Sequence, residues 1–363
     1  MSIRLPCVLM RGGTSRGPFF LAAHLPADPA QRDIMLLAAL GSPHPLQIDG
    51  IGGGSSVTSK VAIVGPAADS QADVEYLFAQ VSVEQGKVDT KPNCGNMLAG
   101  VGPFAIEAGL VTPTHPETVV RIRNVNTGAL VDAVVQTPFG AVTYDGDAEI
   151  PGVQGGAAPI ALRFRDVGGS KTGQMFPTGL RQEQIDGVPV TLIDGAMPMM
   201  LVSAASLGTD ADLPVEALEA DAALLARIER LRQVAGRRMG LGDVSESVIP
   251  KPALLGPARH QGQTLTARYL TPHSVHRSMA VTGGITLAIA ARTPGTVAFE
   301  LASAGEGGAV IAHPAGTLQI GLKIEDSVVH WASVLRTARR IFEGHLFLPG
   351  RTLQTASSQL AAE

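Results

Sequence analysis

The stretch Cys94-Gly95-Asn96-Met97-Leu98-Ala99-Gly100-Val101-Gly102-Pro103-Phe104-Ala105-Ile106-Glu107-Ala108-Gly109-Leu110 decides the fold. From Leu98 onward it is small and apolar almost throughout, with no polar stripe, which predicts a helix buried on all sides instead of one lying on a surface. Pro103 lies inside that helix and removes a backbone bond, so a kink is expected there. Cys94 stands at the mouth. The first N–H groups of a helix lack intrahelical partners and the macrodipole is positive there, so such a mouth holds carboxylates and favours thiolates. Gly95 would let a ligand approach the backbone, and Asn96 offers both a donor and an acceptor. A lone cysteine is also commonly an inert core residue, and that reading stands beside the first.

A helix that is apolar all round needs strands to cover it. Residues 5–10 and 18–22 read as strands around the polar turn Arg11-Gly12-Gly13-Thr14-Ser15-Arg16-Gly17. Asp28 as N-cap and Pro29 in the first turn open a helix running to Leu40 and stopped by Gly41. Further strands are expected at 59–64, 74–83, 119–125, 130–136, 141–144 and 160–167. After Gln184 a second series follows, at 188–193, 199–204, 253–255, 264–270, 317–324 and 328–335. Within it Thr282-Gly283-Gly284 caps a short apolar helix over 285–291. The halves share a plan of strands, a glycine-marked buried helix and more strands, which predicts an α+β fold with sheet curled around each helix. Residues 221–238 form an amphipathic helix whose Arg227, Arg230, Arg232, Arg237 and Arg238 read as a solvated face.

Composition agrees with that class. The chain has 363 residues, 45% hydrophobic and 17% charged, with 42 glycines and 25 prolines, which suits a turn-rich, strand-rich protein with room for two domains. No apolar run approaches the ~20 residues of a membrane span, and the start resembles a strand instead of a signal peptide, so a soluble cytoplasmic protein is expected. Cys7 and Cys94 are the two cysteines and show no paired spacing, which supports neither a disulfide framework nor a thiolate metal site. Net charge is −4 and the basic residues are scattered, which speaks against nucleic acid as a partner. A small anionic substrate would need a locally positive pocket.

Gly50-Ile51-Gly52-Gly53-Gly54-Ser55-Ser56-Val57-Thr58-Ser59-Lys60 looks like a phosphate loop, but its spacing fails the Walker pattern and a strand, not a helix, follows Lys60. A glycine turn that presents Ser55, Ser56, Thr58 and Ser59 and ends in a lysine suits a small polyanion, with a solvated surface lysine as the plainer alternative. Arg11, Thr14, Ser15 and Arg16 could clamp carboxylates, since guanidinium matches a carboxylate in a bidentate fork. His273 and His276 lack a third ligand at metal spacing and read as substrate-facing or surface histidines. Ser245 lacks a nucleophile elbow. No dinucleotide fingerprint is present, so cofactor-free chemistry is expected.

Taken together, the segments at 10–17, 49–53, 58–63, 76–81 and 93–105 resemble the PrpF family, and so do 176–179, 194–198, 241–245, 248–251 and 336–339. Tyr76-Leu77-Phe78-Ala79-Gln80 and Leu241-Gly242-Asp243-Val244-Ser245 lean toward its oxalomesaconate tautomerase branch. The resemblance implies a diaminopimelate-epimerase-like fold with two similar barrel-like domains, each wrapping a central helix, and an active site in the cleft between them. The expected boundaries are 1–184, carrying Lys60 and Cys94, then 185–349 with its last strand able to return to the first domain, then a flexible tail at 350–363.

The implied reaction is a cofactor-independent 1,3-proton shift or keto–enol tautomerisation of an unsaturated tricarboxylic keto acid. The first candidate is 4-oxalomesaconate, from gallate or protocatechuate catabolism. Isomerisation of 2-methylaconitate or methylitaconate is the alternative within the family, and non-catalytic organic-acid binding the alternative outside it. Lys60 is expected as base and Cys94 as partner acid or orienting group. Thr14, Ser15, Arg16, Ser56, Thr58, Ser59, Gly95, Asn96 and Met97 are expected to bind substrate, with His276, Ser278, Thr282 and Gly283 from the second domain. Relatives usually carry lysine at the position of Arg16, and arginine keeps the charge but cannot act as a base. The expected partner is a small di- or tricarboxylate, with no nucleic acid, membrane or metal, and a homodimer is left open.

Overall fold

A tight hairpin begins the chain: β1 (Ile3–Gly12) returns as β2 (Ser15–Leu21) through Gly13 and Thr14, with Gly13 at a positive φ of 52°. The turn expected over 11–17 therefore contracts to its tip, and Arg11 and Arg16 lie opposite one another in the ladder. The computed structural model describes residues 3–165, 167–271, 274–326 and 328–350. The expected tail from 351 and His273 lie outside the described residues.

Helix α1 (Pro29–Leu40) follows the local code. The Asp28 side chain accepts from Gln31 N at 2.9 Å, and Gly41 ends the helix at φ 73°. Such a cap contributes about 1 kcal/mol. The inner face, Met35, Leu36, Ala39 and Leu40, packs into one core with Leu5, Phe20, Val61 and Val81. Strands β3 (Lys60–Pro66), β4 (Val74–Val81) and the short β5 (Val88–Asp89) come next.

The decisive apolar stretch is buried as expected but is not one helix. It divides into α2 (Gly95–Leu98) and α3 (Val101–Glu107), with the break at Ala99-Gly100. Pro103 has no N–H for the carbonyl one turn earlier and its ring crowds that carbonyl, so the ladder fails a turn before the proline. Inside the first turn of α3 the missing donor costs nothing, because those donors have no helical partner. Gly100 is needed at the break, since a Cβ there would lie 2.6 Å from the Phe19 ring, which itself packs 5.6 Å from Phe104. With a single turn behind it, Cys94 has little macrodipole at its back, and the anion argument reduces to the local N–H groups.

Strands β6 (Glu117–Asn124), β7 (Leu130–Gln136) and β8 (Ile160–Arg165) follow. The strand expected at 141–144 is absent: the chain leaves β7 through Phe139 and Gly140, both at positive φ, and runs on as loop.

Beyond it lie β9 (Glu183–Ile185), β10 (Val188–Asp194), β11 (Pro198–Ser203), α4 (Val215–Ala220), α5 (Ala222–Arg238), β12 (Lys251–Pro257), β13 (Leu265–Thr271) and β14 (Ser274–Val275). The order continues with α6 (Val281–Ala291), α7 (Val297–Leu301), β15 (Gly308–His313), β16 (Gly316–Glu325), β17 (Val328–Arg336) and β18 (Ala338–Leu348).

The chain divides into two compact units, one running up to Arg163 and resuming at Leu335, the other Phe164–Val334. In the first, β18 pairs with β1 along its length. The two units repeat one ladder. In the first, β2 and β3 are parallel, β3 and β4 antiparallel, β4 and β6 parallel, β6 and β7 antiparallel. In the second, β11 and β12, β12 and β13, β13 and β15, and β15 and β16 follow the same alternation. Even the register corresponds, with Ala62 opposite Phe78 and Val74 beside Ile122 in one, Ala253 opposite Tyr269 and Leu265 beside Ile311 in the other.

Each unit also holds its apolar helix against its own strands, α3 on β3, β6 and β7 and α6 on β10, β11, β15 and β16. The start of α6 differs from expectation. Ala280 is the N-cap, and Thr282, Gly283 and Gly284 lie within the first turn.

Arg232 is a second correction. Far from being solvated it is 0% exposed, paired with Glu229 at 2.6 Å and donating to the carbonyls of Val244, Ser247 and Ile249. It points inward because its position in α5 follows the apolar face of Leu224, Ile228 and Leu231.

Candidate active site

Lys60 is the first residue of β3, and Gln80 is its partner in register on β4. The Lys60 Nζ donates to Gln80 Oε1 at 2.6 Å and lies 5.1 Å above the Phe78 ring. An amide oxygen can only accept, so it fixes one N–H and thereby orients the amine. The Gln80 amide is held in turn, because Nε2 donates to the carbonyls of Ser59 at 2.9 Å and Ser56 at 3.1 Å.

Cys94 is brought to the same strand from another side. Tyr76, Phe78 and Gln80 alternate along β4 and so share one face. The Tyr76 hydroxyl donates to the Cys94 carbonyl at 3.4 Å. Burial first, and the proximity of Cys94 second, keep that hydroxyl protonated well beyond its ordinary range. Cys94 itself is 9% exposed and caps α2 with extended backbone. Cys7, the other thiol, lies in the hydrophobic core and is pushed by burial up to about 12.

Asn96 and Thr14 meet, as Asn96 Nδ2 donates to Thr14 Oγ1 at 2.9 Å. Gly12 and Gly13 allow this, since a Cβ on either would lie within 2.4 Å of an Asn96 oxygen. Gly95 has open space where a side chain would project. Met97 is 0% exposed with its side chain in the core beside Gly17, so only its backbone can meet a ligand.

The hydroxyl cluster behaves otherwise than expected. Ser59 is fully buried and its Oγ donates to Gln47 Oε1 at 2.6 Å, which makes it part of the scaffold. Thr58 and Ser55 bond each other at 2.9 Å, and Ser56 is exposed. The glycines wrap side chains instead of a phosphate: a Cβ on Gly52 would strike Gln47 Oε1, and one on Gly53 would lie 2.6 Å from an Arg16 nitrogen. A cavity of about 660 Å³ lined by Gly54, Ser55, Ser56 and Gln80 reaches the partner of Lys60.

Charge is concentrated on β2, β1 and β18. Arg16 is in register with Arg11 and Arg11 with Arg339, so the three arginines belong to one face of the ladder. Burial, then the charge of Arg339, lower the proton affinity of Arg11. Its NH1 is occupied by Gly13 O and Thr337, so it holds the hairpin tip to β18. Ser15 is buried at the hairpin turn, and Arg16 Nε is buried without a hydrogen-bond partner among the described residues.

In the second unit the His276 ring stands edge-on to Tyr269 at 5.7 Å, and its Nδ1 accepts from Ser278 N at 3.0 Å. Burial raises Tyr269 to about 12. Gly283 is there for packing, because a Cβ would lie 2.7 Å from the Tyr269 ring. The Thr282 carbonyl accepts from Thr286 Oγ1 at 3.1 Å within α6. Gln47 and Gln80 are the residues that sequence reasoning missed. The register partner of Lys60 across β4 was the available signal for Gln80.

The PrpF protein family model matches residues 2–349. This chain belongs to the PrpF family. It is 54% identical over 350 residues to the Escherichia coli (strain K12) protein named "Putative isomerase YbhH", covering 95% of this chain and 99% of that one. It is 46% identical over 344 residues to 4-oxalomesaconate tautomerase of Pseudomonas putida, covering 94% and 95%. A solved structure of methylitaconate-delta-isomerase superposes with a TM-score of 0.90 at 35% identity, covering 97% of each chain. That match bears out the α+β, diaminopimelate-epimerase-like reading. The PrpF chain is an isomerase. Among the described residues no helix is long and apolar enough to cross a membrane, and no cluster of three His, Cys, Asp or Glu could hold a metal ion.

Proposed function

We propose that this PrpF isomerase catalyses a cofactor-independent 1,3-proton shift in 4-oxalomesaconate, with Lys60 as base and Cys94 as partner acid. The observation that carries the reading is the Lys60 amine, held by Gln80 above the Phe78 ring. When Nζ takes a proton from the carbon beside the carbonyl, positive charge develops on it. The amide oxygen and the ring face are already placed to stabilise that charge. The electrons left behind form an enolate, and the Cys94 thiol returns a proton at the far end of the conjugated system.

The relatives support the choice of substrate. Those named for oxalomesaconate, in Pseudomonas putida and Novosphingobium, are each 46% identical, against 36% for 3-methylitaconate isomerase and 2-methyl-aconitate isomerase.

Proton NMR of 4-oxalomesaconate in deuterated buffer tests the proposal. Turnover with deuterium entering the carbon skeleton is expected. Faster turnover of methylitaconate or 2-methylaconitate would reassign the substrate, and ligand-stabilised melting without exchange would mean a binding protein. Lys60→Ala is expected to lower kcat by ~10²–10⁴-fold with melting preserved. Normal turnover by that variant would reject the base assignment.

A further inference from the structure

Strand β4 changes partner around Phe78. It runs parallel to β6 as far as Tyr76, opposite Asn124, and antiparallel to β5 from Gln80, opposite Asp89. Phe78 lies between the two with no strand partner on that edge among the described residues, and a buried backbone N–H and C=O left so are unfavourable. The Asn126 side chain takes the place of the missing strand. Its Oδ1 accepts from Phe78 N at 2.8 Å, and its Nδ2 donates to Phe78 O at 2.8 Å and to Thr90 O at 2.7 Å. The amide has one workable orientation, because the N–H needs an acceptor and the two carbonyls need donors.

From Asn126 the bonds continue toward the thiol. Its backbone N donates to Asn124 Oδ1 at 2.9 Å. Asn124 is 1% exposed, and its Nδ2 donates in turn to Asn93 Oδ1 at 2.7 Å. Asn93 immediately precedes Cys94. In the other direction Asn126 holds the backbone of Phe78, whose ring centre lies 5.1 Å from Lys60 Nζ. One residue is therefore bonded to the backbone beneath the amine and, through Thr90 and Asn124, to the segment that delivers the thiol. All of these residues belong to the first unit.

We propose that Asn126 is a positioning residue that, through Asn124 and Asn93, fixes the Cys94 thiol relative to the Lys60 amine. The proposal rests on the assignment of those two groups as acid and base, so one arm of its test reads the thiol without turnover. Asn126→Ala removes every bond of the side chain. Asn93→Ala, at an exposed position, cuts only the link to Asn124 and keeps the test open should the first variant not fold. In the first arm melting curves establish folding, and kcat for 4-oxalomesaconate should then fall about tenfold or more with KM within about twofold, because no residue expected to hold a carboxylate is touched. A merely structural asparagine would lower the melting temperature and leave kcat of the folded protein unchanged.

In the second arm Cys94 is alkylated with iodoacetamide and followed by mass spectrometry, with the buried Cys7 as internal control. Its rate should rise about threefold or more in each folded variant, as the segment before it loosens. Faster alkylation in a chain that does not turn over 4-oxalomesaconate would support the positioning role while ending the substrate assignment. A folded variant with wild-type kcat, or with wild-type alkylation of Cys94, would overturn the proposal.

Discussion

At the scale of single residues, the chemistry assigned to Lys60 depends on a neighbour that composition gives no reason to notice. Gln80 orients the amine, and its own Nε2 is fixed by the Ser56 and Ser59 carbonyls. Gln80→Leu keeps the volume and removes the acceptor. Turnover is expected to fall on the order of 10- to 100-fold through misplacement of Nζ, with melting within a few degrees of wild type. Equal kinetics in the variant would show that the bond does not position the base. Gln47 has the corresponding scaffold role, accepting from both Ser59 Oγ and Gly54 N. Ser59 thus looks like a ligand in the sequence and is a strut in the structure.

Elements bring these residues together through close backbone approaches. A Cβ on Gly17 would lie 1.8 Å from the Lys60 carbonyl oxygen, so β2 reaches β3 only because residue 17 lacks a side chain. Gly17→Ala is expected to destabilise the chain by about 3 kcal/mol or more, read by urea unfolding, because backbone cannot give way as a flexible side chain can. Arg232 fastens α5 to the segment before β12 through three carbonyls and Glu229. Arg232→Met should cost about 3–5 kcal/mol, since it leaves those three carbonyls without their donor and takes the cation away from Glu229. A loss below 1 kcal/mol would mean that water replaces the guanidinium. The caps and ends of α1 were legible because Asp28, Pro29 and Gly41 act locally. The break at Ala99-Gly100 was not, because it depends on how Pro103 and the Phe19 ring crowd the helix from outside its own sequence neighbourhood.

For the whole molecule, burial of ionisable groups sets the response to alkali. Cys7 rises from 9.0 to about 12 on burial, and Tyr269 from 10.0 to about 12. Both stay neutral in the fold but ionise when unfolded, so their contribution is complete below pH 9.0 and is lost as pH climbs toward about 12. Denaturation midpoints should hold steady up to about pH 9 and fall above it, and a flat profile to pH 11 would contradict this burial.

The sequence by itself determined the α+β class, the apolar helices, the run of short strands and the family, because periodicity, caps and contiguous motifs act over a few residues. Only the tertiary structure decided which hydroxyls are struts, that Arg232 is buried, and that Gln80 and Tyr76 carry Lys60 and Cys94 on one strand face. Those outcomes depend on which residues register places opposite one another across strands distant in the chain, and no local pattern encodes that distance.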